Sequence, residues 1–232
     1  MIQTVQLIPI LDSNYVFLIK NQNGQAIVID PGEATAVISE IEKQKLTLSG
    51  ILITHHHADH IDGVGEIRKK YGAKAYAPNA NRAQIEADIY LHDTETLNLA
   101  GFTIKVMALP GHTLGIIAYW FENEKWLFSG DVLFGLDCGR IFEGTYEQAF
   151  NSLQKIKSLP DETQLYCTHE YTSTNLQFCR SLGLEVPDYA IAMPSVPLAL
   201  GKEKKFNPFL TAKNLAEFSR LRDLRNVFKP QK

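Results

Sequence analysis

The sequence predicts an α+β fold, with a layered, β-rich part followed by a helical one. Three observations predict it. Short apolar runs of strand length alternate with amphipathic stretches through the first two-thirds of the chain. Several neighbouring runs are joined by tight polar turns, as hairpins require, which sets the chain apart from a simple βαβ series. After residue 170 no strand-like run remains and helical spacing takes over. A boundary near 170 therefore divides the chain into expected domains 1–170 and 171–232.

The elements follow in order. The opening "MIQTVQLIPILDSNYVFLIK" reads as two strands around a "DSN" turn, and "YVFLIK" and "QAIVIDPG" as a hairpin around "NQNG". "TAVISEIEKQ" has helical spacing, with Val37, Ile38 and Ile41 on one side. "GILIT" is a buried strand, "DGVGEIRKKYG" a helix closed by Gly72, and "KAYAP" another strand. "FTIKVMALPG", "IIAYWFE" and "KWLFSGD" continue the β pattern. "TYEQAFNSLQKIKSL" is a helix whose Thr145 and Gln148 form a capping box, and "TQLYCTHE" is the last strand. "TSTNLQFCRSLG" and "TAKNLAEFSRLRDLRNVF" are helices, joined by the proline-containing "EVPDYAIAMPSVPLALGKEKKFNPFL".

Composition narrows the function classes. The 232 residues carry a net charge of −3 and no long basic block, which disfavours a nucleic-acid partner. Cys138, Cys167 and Cys179 are odd in number and form no CxxC, as expected in a reducing compartment. The apolar runs are too short and too interrupted by charge to span a membrane. The N-terminus lacks a basic region and carries Asp12 early, unlike a signal peptide. A cytoplasmic protein with no membrane partner is expected.

The chemistry concentrates in "THHHADH" at 54–60, which holds four of the seven histidines. The spacing excludes an HExxH site, whose ligands stand at i and i+4 on a helix. His55 and His57 stand at i and i+2, so in extended chain they share a side, while His56 points the other way. Asp59 and His60 follow where the chain turns toward a helix. Three other apolar runs each lead into a single metal-capable residue: "VMALPG" to His112, "WLFSG" to Asp131 and "QLYCT" to His169. Five histidines and two aspartates suit one or two zinc-like ions. Asp30 in "IDPG" reads as a turn residue or a support behind the ligands, and His92 as a surface histidine.

"THHHADH", "PGHT", "SGD" and "CTHEYT", in that order, resemble the metallo-β-lactamase superfamily. "SNYVFLI", "CGRIFEGT", "THEYTSTNLQF" and "NPFL" narrow the resemblance to its glyoxalase II (hydroxyacylglutathione hydrolase) branch. The resemblance implies a four-layered αββα sandwich with a C-terminal helical domain. It implies two divalent metal ions, zinc foremost, with iron or manganese accepted by the same donors. His55, His57 and His112 would hold the first ion, Asp59, His60 and His169 the second, and Asp131 both. With Asp59 and Asp131 at the reacting centre, a water activated by the metals would attack a thioester. The substrate would be a small acyl-glutathione such as S-D-lactoylglutathione, cleaved to a 2-hydroxy acid and glutathione, in methylglyoxal detoxification. Arg140, Phe142, Tyr171, Arg222 and Arg225 would bind the thiol. Arg140 and Arg225 stand where the family commonly has lysine, and Phe142 lacks an aromatic hydroxyl found there. Spacing at i and i+3 puts Arg222 and Arg225 on one side of the helix, and without the resemblance that side would be read as solvated. The rival readings are a mononuclear-iron persulfide dioxygenase and a metallo-hydrolase of another acyl-thiol.

Overall fold

The computed structural model describes residues 3–187 and 193–230. Residues 188–192, within the expected proline-containing connection, lie outside the described residues, as do the first two and last two. The chain forms two compact units: residues 1–108 with 115–123, and 109–114 with 124–232.

The first unit begins with the two expected hairpins. Strands β1 (Thr4–Ile10), β2 (Asn14–Lys20) and β3 (Gln25–Ile29) pair antiparallel, with Ile8 opposite Val16 and Leu18 opposite Val28. Helix α1 (Ala34–Gln44) then crosses to β4 (Thr47–Leu52), which lies parallel to β3. A four-residue helical turn, α2 (Ala58–Ile61), and α3 (Val64–Tyr71) precede β5 (Ala75–Pro78). Gly72 ends α3 at φ 65°, the left-handed position glycine takes without steric cost. With β6 (Ile89–Leu91) the sheet runs β1-β2-β3-β4-β5-β6. Val37 and Ile41 of α1 and Ile67 of α3 pack into one core with Val28, Ile51 and Ile53. Burying a side chain of this size is worth about 1.5–3 kcal/mol, so the amphipathic spacing read from sequence selects the buried side of both helices. An antiparallel meander follows, of β7 (Thr96–Leu99), β8 (Phe102–Ala108) and β9 (Ile117–Phe121).

In the second unit, β10 (Trp126–Gly130) pairs parallel with β13 (Gln164–Cys167), with a register shift between Phe128 and Gly130. Between them lie a short hairpin, β11 (Leu133–Phe134) with β12 (Asp137–Cys138), and α4 (Tyr146–Lys157). The Thr145 and Gln148 side chains cap α4 reciprocally, as expected. Helix α5 (Thr172–Ser181) follows β13. The expectation of no strand after residue 170 is corrected. β14 (Leu198–Ala199) pairs antiparallel with β13, and at two residues it carries no alternation to be read. The proline-containing connection also holds α6 (Leu200–Phe206) and α7 (Pro208–Thr211), ahead of α8 (Leu215–Val227). Asn207 explains the "NPFL" segment. Its Oδ1 accepts from the Phe209 amide at 3.0 Å, capping α7, while its Nδ2 donates to the Phe134 and Asp137 carbonyls at 3.1 Å each. The apolar interior of this helical part includes Phe178, Phe209 and Phe218, all buried.

Candidate metal centre

Each unit gathers its own set of metal-capable donors. In the first, β4 ends in a short extended stretch carrying Thr54, His55, His56 and His57, and α2 carries Asp59 and His60. His55 and His60 are buried. His55 Nε2 lies 3.0 Å from His57 Nδ1, and His60 Nε2 lies 3.7 Å from Asp59 Oδ2. His56 is turned to another partner, its Nδ1 3.0 Å from Asn81 Nδ2. This agrees with the alternation argument that set it apart.

Asp30 is the buried anchor of this set, held at φ 51° directly after β3. One oxygen accepts from the Thr54 amide at 2.7 Å. The other accepts from Thr54 Oγ1 at 2.6 Å and lies 3.0 Å from His60 Nδ1. Thr54 Oγ1 in turn lies 3.0 Å from His55 Nδ1. The Nδ1 atoms of His55 and His60 thus face hydroxyl and carboxylate partners, which leaves Nε2 as the outward donor of both rings. Such carboxylate–histidine arrangements orient imidazoles for a metal. Gly32 allows the close fit: a Cβ there would stand 1.8 Å from the Asp59 carbonyl oxygen.

In the second unit, His112, Asp131 and His169 converge. Asp131 Oδ2 lies 3.5 Å from His112 Nε2 and 3.3 Å from His169 Nε2. Two donors each 2.0–2.2 Å from one tetrahedral ion stand ~3.3–3.6 Å apart, so these spacings fit a carboxylate oxygen sharing ions with both rings. His112 Nδ1 donates to the Arg140 carbonyl at 2.7 Å, again aiming Nε2 outward. Gly139 sits where a Cβ would fall 1.8 Å from the Asp131 carbonyl oxygen. His92, by contrast, is exposed, as expected.

The profile of the metallo-beta-lactamase superfamily matches residues 10–169, the span that carries both donor sets. The chain belongs to the metallo-beta-lactamase superfamily. Relatives within it include a hydroxyacylglutathione hydrolase of Bdellovibrio bacteriovorus, 48% identical over 96% of this chain and 97% of its own. Another from Pelagibacter ubique is 40% identical over 97% and 99%. Among solved structures, ETHE1 from Myxococcus xanthus is similar, with a TM-score of 0.78 and 26% identity over 99% of this chain and 93% of its own. The chain accordingly has the metallo-β-lactamase fold with mixed α and β content, and its His and Asp donors suit the divalent ions of that superfamily.

The residues the resemblance assigned to the thiol lie in the second unit. Arg140, Tyr171, Arg222 and Arg225 line a cleft of about 180 Å³, together with Phe134 and Asp137. Tyr171 stacks on the His169 ring, centroids 4.7 Å apart and planes 2° apart. Phe142 does not line the cleft. It is exposed, with its ring 5.3 Å from that of His112 and the Arg140 guanidinium 5.2 Å from its centroid. Arg222 is not on a solvated face: it is buried, donating to the Cys138 carbonyl at 2.7 Å and to Asp137 Oδ1 at 3.3 Å. Arg225 donates to Asp137 Oδ2 at 2.6 Å and to Asn175 Oδ1 at 2.9 Å.

Asp137 and Asn175 escaped the sequence reading. The available signal was an acidic residue inside the apolar run "VLFGLDCG", where a carboxylate requires a partner. Burial pushes the Asp137 carboxyl above its ordinary range, against the downward pull of Arg222 and Arg225.

Proposed function

We propose that the chain hydrolyses the thioester of S-(2-hydroxyacyl)glutathione, such as S-D-lactoylglutathione, releasing a 2-hydroxy acid and glutathione. The two donor sets would serve one pair of divalent ions, with zinc the natural occupant of imidazole and carboxylate donors. His55, His57 and His112 are assigned to one ion, Asp59, His60 and His169 to the other, and Asp131 to both. The observation that carries the reading is the arrangement around Asp131, one carboxylate oxygen at ligand spacing from two outward-facing ring nitrogens. The near full-length likeness to relatives named hydroxyacylglutathione hydrolase supports the substrate.

Divalent ions there would supply Lewis acidity toward the thioester carbonyl and toward water. The protein's own part is to hold the donors in place. Asp30 and Thr54 orient His60 and His55, and the Arg140 carbonyl orients His112. Water adds to the carbonyl carbon, the C–S bond breaks, and the sulfur leaves as a thiolate. A thiol of pKa near 8.5 departs without a strong general acid, which fits a centre rich in ligands. Residues 171–232, with Arg222, Arg225 and Tyr171 beside Arg140, would take the peptide part of the thiol. A cytoplasmic setting fits the substrate and three cysteines that are buried and not in disulfides. Among the described residues no helix is long and apolar enough to cross a membrane.

The test is steady-state hydrolysis of S-D-lactoylglutathione by protein whose metal content is measured in parallel. Turnover that disappears on chelation and returns with about two ions per chain is the expected result. Oxygen consumption with glutathione persulfide and no thioester hydrolysis would establish the dioxygenase instead.

A further inference from the structure

Arg222 and Arg225 converge on a single buried carboxylate. Asp137 is 4% exposed and has an arginine on each oxygen: Arg222 Nη1 on Oδ1 at 3.3 Å and Arg225 Nε on Oδ2 at 2.6 Å. Oδ1 also accepts from the Cys138 amide at 2.8 Å, which fixes the plane of the carboxylate. Further hydrogen bonds lock the two forks. Arg222 donates to the Cys138 carbonyl and, through Nε, to Asn226 Oδ1 at 3.1 Å, while Arg225 Nη2 donates to Asn175 Oδ1. Both guanidiniums, and Asp137 itself, line the 180 Å³ cleft that also holds Arg140 and Tyr171.

A long cationic side chain loses rotamer freedom whenever it grips a ligand. A carboxylate that has already oriented both forks removes that cost before binding, and planar forks are suited to such pre-organisation. We propose that Asp137 is a positioning residue for thiol recognition, holding Arg222 and Arg225 in the geometry in which the cleft receives the anionic end of the acyl-thiol. This rests on the thioesterase reading for the identity of the ligand, but not for the geometry. An asparagine in its place is isosteric yet cannot accept from the Cys138 amide and the Arg225 fork at once, so Asp137→Asn unlocks Arg225.

The experiment measures glutathione binding by calorimetry, and KM and kcat for S-D-lactoylglutathione and for a small acyl-thiol without carboxylates. Thermal unfolding is followed beside them. For Asp137→Asn the expected result is glutathione binding weakened about tenfold, the loss of one charge-assisted contact. KM for the glutathione thioester should rise by the same factor, with kcat and small-thioester hydrolysis at the parent level. If Asp137→Asn does not fold, Asp137→Glu carries the test, because it keeps the buried negative charge beside the two arginines and displaces the carboxylate that orients them by one methylene. It is expected to show the same split between KM and kcat. Unchanged or tighter glutathione binding in a folded variant overturns the proposal, as does an equal loss on both thioesters. A parent that binds no glutathione overturns it too. A parent that binds glutathione but hydrolyses no thioester refutes the thioesterase reading alone, and the binding comparison still decides the role of Asp137.

Discussion

Single side chains carry the sharpest expectations about the metal centre. Asp131→Ala should remove metal and turnover together, with turnover falling more than about a hundredfold, since even partners behind a metal ligand are worth 10- to 100-fold. Elemental analysis beside kinetics checks it, and full metal content with surviving turnover would leave Asp131 a turn residue. Asp30→Ala should lower metal affinity about 10- to 100-fold, because His60 loses the carboxylate that orients its ring. His56→Ala should leave both readouts near the parent level, because that ring faces Asn81. The thiols make a separate case. Burial pushes Cys138 and Cys179 up to about 12 and Cys167 well above its ordinary range. At pH 8 all three therefore stay protonated, and only the thiolate reacts. An aromatic disulfide reagent should find essentially no thiol in the native protein and three in denaturant. The candidate ligands were legible because the i, i+2 alternation and the ends of apolar runs are local patterns. Asp137 was not, because its partners lie 85 and 88 residues away.

Whole elements were read best where they carry local end signals. Helix α4 showed its capping box, and α3 its closing glycine. Thr145→Ala should cost about 1 kcal/mol in urea unfolding, the usual value of such a cap. Strand β14 and helices α6 and α7 are too short to build a period, so the connection that contains them read as irregular. Helix α8 shows the opposite difficulty. Its arginines at i and i+3 share a side, but spacing does not say whether that side meets water or protein. Here it meets Asp137, so Arg222→Ala should lower stability by about 3–5 kcal/mol, the usual effect of stripping one partner from a buried ion pair. A loss under 1 kcal/mol would mean the pair is solvated.

For the whole molecule, ions bound only by the folded chain add to its stability by mass action. At a hundredfold excess over Kd that is about 2.7 kcal/mol per site, or roughly 5–10 °C in a chain of this size. Chelation should lower Tm by that much or more, and readdition of zinc should restore it; identical Tm values would count against ligation by these residues. By itself the sequence determined the α+β class, the hairpins of the first unit and the seven candidate ligands. Each of these is written in periods of two or 3.6 residues, or in one short motif. Only the tertiary structure decided that Asp30 stands behind His60, that Tyr171 lies flat on His169 and that Asp137 holds both arginines of α8. The first and third of these join residues distant along the chain, the second is a ring orientation that spacing does not carry, and a buried carboxylate has no local signature. Its cost and its compensation come from whichever groups folding brings beside it.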